Sequence, residues 1–248
     1  MAVLKGIAAS PGIAIGKAFV YKRSETEIQD LKATDIKTEL QKFEKALGES
    51  EKQLREIEAK TAQEIGKNEA AIFASHLLIL NDPSLIKQVV NNIKEKGLRG
   101  EAAVQDTTNK FVELFDNMQD PYFRARAADV QDVGNRILNN MRGLANNFKI
   151  ELDKQVIIVT KDLTPSDTVQ MTGENVLAFA MDKGGITSHA AIIARSLRIP
   201  AVVGLVDATS NVQTGEYLII DGTKGIVITN PGEKTLSEYR KSATNMEN

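Results

Sequence analysis

Asp182-Lys-Gly-Gly-Ile-Thr-Ser-His-Ala-Ala-Ile-Ile-Ala-Arg-Ser-Leu-Arg-Ile-Pro-Ala-Val-Val-Gly204 decides the architecture of this chain. The apolar run Val176–Met181 ahead of it reads as a buried strand, and Ala201–Val203 near its end reads as another. Between them a glycine-bearing loop leads into a helix over about 189–198, with Thr187 or Ser188 as its cap and His189 in its first turn. Strand, loop, helix, strand is the pattern of an α/β sheet with parallel neighbours. A helix start presents unpaired N–H groups and the positive end of the helix dipole, which suits an anion. Gly184 and Gly185 carry no side chain, so the backbone can approach that anion closely. An imidazole at position 189 can then serve as a nucleophile that holds a phosphoryl group covalently.

Working outward, Leu163-Thr-Pro-Ser-Asp-Thr168 is a second helix start, with Thr164 as cap, Pro165 at the first helical position and Asp167 two further on. It follows the strand Val156–Thr160, as the His189 loop follows the strand ending at Met181. If those strands are parallel neighbours, both helix starts face one crevice at their carboxyl ends, where ligands gather in open α/β sheets. Thr168 then has two readings, a hydrogen-bond partner of the His189 ring or a plain surface residue of its helix. Arg195 lies about 240° round the helix from His189, so it reads as a structural residue rather than a phosphate ligand.

Tyr217–Ile220 and Ile226–Thr229 complete the strands of the carboxyl-terminal half, and a polar helix over about 232–244 closes it. At the other end, residues 3–21 are rich in glycine and β-branched residues around the turn signal Ser10-Pro11-Gly12, and read as short strands that cannot stand alone. The stretch between is helical. Ile36, Leu40, Phe43, Leu47, Leu54, Ile57 and Ile65 mark a long amphipathic helix that Gly66 ends or bends. Further helices are predicted at 70–80, from the Asp82 cap and Pro83 to Gly97, and around 101–118 and 122–145. The expected fold is an α/β domain built from residues 1–30 and 148–230, an all-helical bundle inserted at 31–147, and a linker helix at 231–248.

Composition closes off other classes. Cysteine is absent, which excludes disulfides and thiolate metal sites, and two histidines are too few for a histidine-rich one. A formal net charge of -2 and 5% aromatic residues argue against a nucleic-acid partner. No apolar run is long enough for a membrane helix, and Met1-Ala-Val-Leu-Lys5 lacks the parts of a signal peptide, so the cytoplasm is the expected location and membrane insertion is not expected.

Gly-Gly-Ile-Thr-Ser-His-Ala-Ala-Ile-Ile-Ala-Arg, ending at Arg195, resembles the phosphohistidine signature of the phosphoenolpyruvate-using enzymes. Ala9-Ser-Pro-Gly-Ile-Ala-Ile-Gly16, Ala71-Ile-Phe-Ala-Ser-His76, Arg126-Ala-Ala-Asp-Val130 and Asp162-Leu-Thr-Pro-Ser-Asp-Thr168 resemble, within that group, the Enzyme I family of the bacterial sugar phosphotransferase system. The resemblance covers essentially the whole chain. It implies a swivelling phosphohistidine domain in which His189 takes phosphate on Nε2 from phosphoenolpyruvate and passes it to a histidine of the carrier HPr. It implies Thr168 as the partner of His189, and Gly184, Gly185, Thr187 and Ser188 as the phosphate cradle. It implies that the bundle docks HPr, and that the phosphoenolpyruvate site with its Mg²⁺ lies in a carboxyl-terminal domain that this chain lacks. No cofactor is expected in these residues themselves. A dikinase-like histidine domain, or a docking module that transfers nothing, are the alternatives.

His76 has two readings. It is a buried bundle histidine, or it shares with Ile72 and Ile79 a helix face that touches the partner. The resemblance favours the second and adds Asp82, Leu85, Tyr122 and Arg126 to that surface. Where the family shows an acidic pair and a lysine before Ala-Ile-Phe, this chain has Lys67, Asn68 and Glu69. The family lysine is therefore missing at position 69, and Lys67 is the basic residue nearest to its place.

Overall fold

The computed structural model describes residues 1–22, 32–144, 154–171 and 175–247, with the side chains of Pro121, Tyr122, Ala125, Gln170 and 244–247 left undescribed. In chain order these residues form β1 (Ala2–Lys5), β2 (Ile7–Ser10), β3 (Ile13–Tyr21), α1 (Ile36–Glu64), α2 (Lys67–Leu80), α3 (Pro83–Lys94), α4 (Gly100–Asp116) and α5 (Pro121–Met141). Then follow β4 (Val156–Thr160), α6 (Pro165–Gln170), β5 (Val176–Met181), α7 (His189–Ser196), β6 (Ala201–Val203), α8 (Ala208–Asn211), β7 (Tyr217–Asp221), β8 (Ile226–Thr229) and α9 (Glu233–Glu247). They separate into two compact units, Met1–Ser24 with Lys149–Asn248, and Glu25–Phe148. The expected boundaries at 30/31 and 147/148 fall outside the described residues. The closing helix, expected as a linker, packs on β3 within the first unit, with Lys224 Nζ 5.4 Å from the centre of the Tyr239 ring.

The first unit is one eight-stranded sheet in the order β1-β8-β7-β3-β4-β5-β6-β2. Its middle, β3-β4-β5-β6, is parallel, and antiparallel strands flank it on both sides. The two edge strands are consecutive in the chain, joined by Gly6 alone. That connection is possible only if the sheet curls until its two edge strands come together at Gly6. The seam confirms it. The Gly6 amide donates to the Gly225 carbonyl at 2.9 Å, and any Cβ on Gly222 would collide with the Ser10 carbonyl oxygen. Strand alternation sorts the core accordingly. Ile157, Val159, Ala178, Ala180, Leu218, Ile220 and Val227 point into one cluster, where small alanines leave room for the curl. Ile158, Phe179, Met181 and Val203 point the other way, against Ala190, Ala191 and Ala194 of α7.

The second unit is a bundle in which α1 packs on α2 and α5, and α4 on α3 and α5. Phe43, Leu54, Phe73, Leu80, Leu85, Val89, Ile93, Val130 and Ile137 fill its core. Two of its helices begin at an acidic side-chain cap, and the Asp82 cap is the one the sequence predicts. Asp35 accepts from the Lys37 and Thr38 amides, and Asp82 accepts from Ser84 N at 2.7 Å with Pro83 behind it. At α4 no local side chain caps the start. Glu39, buried on α1, reaches across and accepts from Gly100 N at 2.8 Å.

Candidate phosphohistidine site

The strands that the sequence expects to be neighbours are paired side by side. β4 and β5 are parallel neighbours with Thr160 opposite Met181, and the ladder runs on into both loops, Asp182 N to Thr160 O at 3.1 Å and Lys183 N to Lys161 O at 2.9 Å. The two loops therefore leave the same end of the sheet side by side, and the helices that follow, α6 and α7, pack against each other.

Each helix start is built by local chemistry. In α6, Thr164 and Asp167 close a reciprocal capping box, with the Asp167 amide donating to Thr164 Oγ1 at 3.2 Å and the Thr164 amide to Asp167 Oδ2 at 3.1 Å. In α7, Ser188 is the cap, its hydroxyl accepting from Ala191 N at 3.3 Å, and His189 is the first helical residue, half-buried. Of the two candidate caps Ser188 serves, while Thr187 stays exposed on the loop. Gly184 has φ +101, a left-handed value that a side chain resists. At Gly185 a Cβ would meet nothing within 4 Å, so its bareness leaves open space over the loop.

Thr168 is fully buried rather than a surface residue, one turn after the Thr164 cap, and its hydroxyl donates to Thr164 O at 2.9 Å. Its proton is thereby committed to its own helix, while its lone pairs can still accept from a neighbouring ring N–H. Arg195 points its guanidinium at two backbone carbonyls, Ala9 and Ile186, in keeping with a structural role. The nearby carboxylates are held by amides: Asp162 by Leu163 N, Asp167 by Thr164 N, and Asp182 by Thr209 N and the Thr209 hydroxyl. Among the described residues no group of three or more acidic or histidine side chains could hold a metal ion, so the residues present do not fit the magnesium that the resemblance implies for a longer protein.

The bundle residues divide. Lys67 is exposed at the first position of α2, and Ile72, Ile79, Asp82 and Arg126 are half-buried. Arg126 Nη1 lies 3.1 Å from Asp129 Oδ2. Two expectations are corrected. His76 is fully buried, with Nε2 3.2 Å from Asp129 Oδ1 and Nδ1 3.6 Å from Asp132 Oδ2, and its ring meets Phe73 edge-on. It is therefore turned into the bundle, away from any partner surface, because both its nitrogens face carboxylates of α5. Leu85 is likewise core, 3% exposed, since the first turn of α3 directs it inward. Tyr122's side chain lies outside the described residues. Among the described residues of the helical unit, the exposed large apolar side chains are instead Leu78, Leu114, Phe123 and, beyond α5, Leu144. Leu78 was legible in principle. Ile72-Phe-Ala-Ser-His-Leu-Leu-Ile-Leu80 is apolar nearly all round, and a helix on a bundle surface buries only one stripe.

Two family descriptions match the chain, "PEP-utilising enzyme, N-terminal" over residues 5–126 and "PEP-utilising enzyme, mobile domain" over 152–225. Phosphoenolpyruvate-protein phosphotransferase of Listeria innocua is 43% identical over 238 residues, 96% of this chain, and that of Bacillus subtilis 40% identical over 241 residues, 97% of it. The chain spans 42% of the length of these relatives. Among solved structures, a solution structure of Enzyme I matches 99% of this chain and 100% of its own at 44% identity with a TM-score of 0.78. An N-terminal domain of the nitrogen Enzyme I matches 97% of this chain and 99% of its own at 26% identity with a TM-score of 0.61. The chain belongs to the Enzyme I family of phosphoenolpyruvate-utilising enzymes and corresponds to their amino-terminal part.

Proposed function

We propose that this chain carries a phosphoryl group on His189 and exchanges it with a histidine of the carrier HPr, and that in a longer protein the group comes from phosphoenolpyruvate. The observation that carries the proposal is the setting of His189, first residue of a Ser188-capped helix behind a glycine loop, with the capped α6 packed beside it. In the exchange the lone pair of His189 Nε2 attacks phosphorus, a new N–P bond forms, and the N–P bond of the carrier breaks with its electron pair returning to the carrier's imidazole. One phosphoramidate replaces another, so the equilibrium is close to balanced. The amides of the glycine loop and the α7 start stabilise the charge on the phosphoryl oxygens in flight. Thr168, buried in α6, which packs against α7, orients the ring by accepting from its other nitrogen. Gly184, Gly185, Thr187 and Ser188 form the cradle.

HPr docks on the bundle. Ile72, Ile79, Asp82 and Arg126 stay in that surface with Lys67 at its edge. Leu78, Leu114 and Phe123 join that surface in place of the buried His76 and Leu85, because they offer apolar area to a partner. Docking by shape and local pairs needs no strong field, in keeping with a net charge of -2. The donor site with its magnesium is assigned to protein outside these residues. No helix among the described residues is long and apolar enough to cross a membrane, and we place the protein in the cytoplasm with its substrate carrier.

The test mixes the chain with radiolabelled phospho-HPr, and separately with labelled phosphoenolpyruvate and magnesium. Label passing reversibly from phospho-HPr, and lost in a folded His189→Ala variant, is the expected result. Label on the His189→Ala variant rejects the assignment. Stoichiometric labelling by phosphoenolpyruvate without HPr puts the donor site inside these residues and rejects that part.

A further inference from the structure

The transfer just described gives Arg195 no part, yet its side chain spans the most distant contact of the site. Nη1 donates to the carbonyl of Ala9 and Nη2 to the carbonyl of Ile186, each at 2.8 Å, and Ala9 is 186 positions away in the chain. Neither carbonyl is an incidental acceptor. In the β2–β6 pairing, Ala8 faces Val202 and Ser10 faces Ala201, with the register shifting between them. Ala9 is thus the extra residue of a β-bulge, and a bulge leaves a backbone group without its ladder partner. Arg195 supplies that partner. Ile186 lies on the glycine loop, three residues before His189. The peptide that follows is trans, as no cis bond occurs among the described residues, so its C=O and N–H point in opposite directions. Tying the Ile186 carbonyl to Arg195 therefore turns the Thr187 N–H away from the guanidinium. The next residue, Ser188, is the cap of α7.

We infer that Arg195 is the positioning residue of the His189 loop: through the bulged Ala9 and the Ile186 carbonyl it sets the Thr187 amide and the Ser188 cap, and so the attitude of His189 itself. The inference rests on the reading of His189 as the phosphoryl carrier. Arg195 touches neither the reacting ring nor the phosphoryl group in this scheme. It acts through the peptide it clamps. The planar guanidinium fork meets two carbonyls on different segments at once, and a lysine ammonium on a flexible stem does not reproduce that geometry.

The experiment uses the full chain with Arg195→Gln and Arg195→Lys. Backbone amide resonances are recorded first, without any partner. Those of Thr187, Ser188 and His189 are expected to move in Arg195→Gln while those of the helical unit stay in place. The single-turnover rate of transfer from phosphorylated HPr is then expected to fall roughly ten- to a hundred-fold, the scale of an ångström-level misplacement. Affinity for unphosphorylated HPr should be unchanged, and Arg195→Lys should recover only part of the rate. Unmoved loop resonances, or a transfer rate equal to that of the unsubstituted chain in either variant, overturn the inference. If Arg195→Gln does not fold, the lysine variant decides by the same rate criterion. If the unsubstituted chain takes no label from phospho-HPr, the reading of His189 fails, and the clamp stands or falls on the loop resonances alone.

Discussion

Val206 illustrates how much the site asks of single residues. It has φ +73 and is 82% exposed, a left-handed conformation that is costly for a β-branched side chain. Its amide is held by the Asp182 carbonyl at 3.0 Å, and Asp182 in turn fixes Thr209, so the loop after β6 is tied to the start of the His189 loop. The strain thus sits beside the proposed site. Val206→Gly should raise the stability of the α/β unit by up to about 1 kcal/mol, the left-handed penalty relieved less the entropy of an added glycine, measured by urea unfolding. An unchanged or lower midpoint contradicts the strain. In the bundle, Leu78 and Leu85 are chemically alike and should behave in opposite ways. Leu85→Ala, in the core, should cost roughly 2–5 kcal/mol of stability. Leu78→Ala should leave stability nearly unchanged and weaken HPr binding by about 1–2 kcal/mol if it is an anchor, read by calorimetric titration. The reverse pattern would return Leu85 to the docking surface.

At the scale of the element, Glu39 shows one helix capping another. Burial pushes its carboxyl upward, but the Gly100 amide, the Lys42 ammonium at 3.1 Å and the nearby Arg99 outweigh it and hold it below the ordinary glutamate range. A carboxyl lowered in the folded state stabilises that state at pH above its unfolded value, and the contribution disappears as pH falls through the lower, folded value. The helical unit should therefore lose stability on acidification below the ordinary glutamate range, and Glu39→Gln should flatten part of that slope. At neutral pH the same substitution should cost about 1 kcal/mol, the worth of a cap. An acid unfolding profile identical in the two proteins would show that the cap is not coupled to the fold.

For the whole molecule, two compact units imply two sites of vulnerability that can be addressed separately. Gly134 of α5 lies against Thr108 of α4 so closely that a Cβ would collide with the Thr108 side chain. Gly222 lies as close to Ser10 at the seam of the curled sheet. Alanine normally favours a helix over glycine, yet Gly134→Ala should destabilise the bundle by roughly 1–3 kcal/mol because the tight packing cannot yield. Gly222→Ala should destabilise the α/β unit, since its collision is with backbone. In scanning calorimetry each substitution should lower the transition of its own unit and leave the other in place. A single transition shifted equally by both would mean that the two units unfold together.

What the sequence by itself determined here is what neighbouring residues decide among themselves. Caps, proline positions, glycine stops and the period of apolar residues are local, so β4, β5, β6 and β8 stand where the pattern puts them, and the helix starts at Thr164, Ser188 and Asp82 do too. The helix start at His189 was legible because its glycine loop and its cap occupy one short run. What only the tertiary structure decided is which surfaces meet. The two strands of residues 2–10 read alike but serve opposite edges of the sheet, and only its closure shows it. Leu78 and Leu85 differ in exposure, and His76 lies inside the bundle, because apolar character sets that a side chain is to be covered and not by what. The clamp of Arg195 on Ala9 and Ile186 is of the same kind. Backbone carbonyls exist at every residue, so an acceptor carries no mark in the sequence, and only the bulge and the loop brought together by folding make these two available.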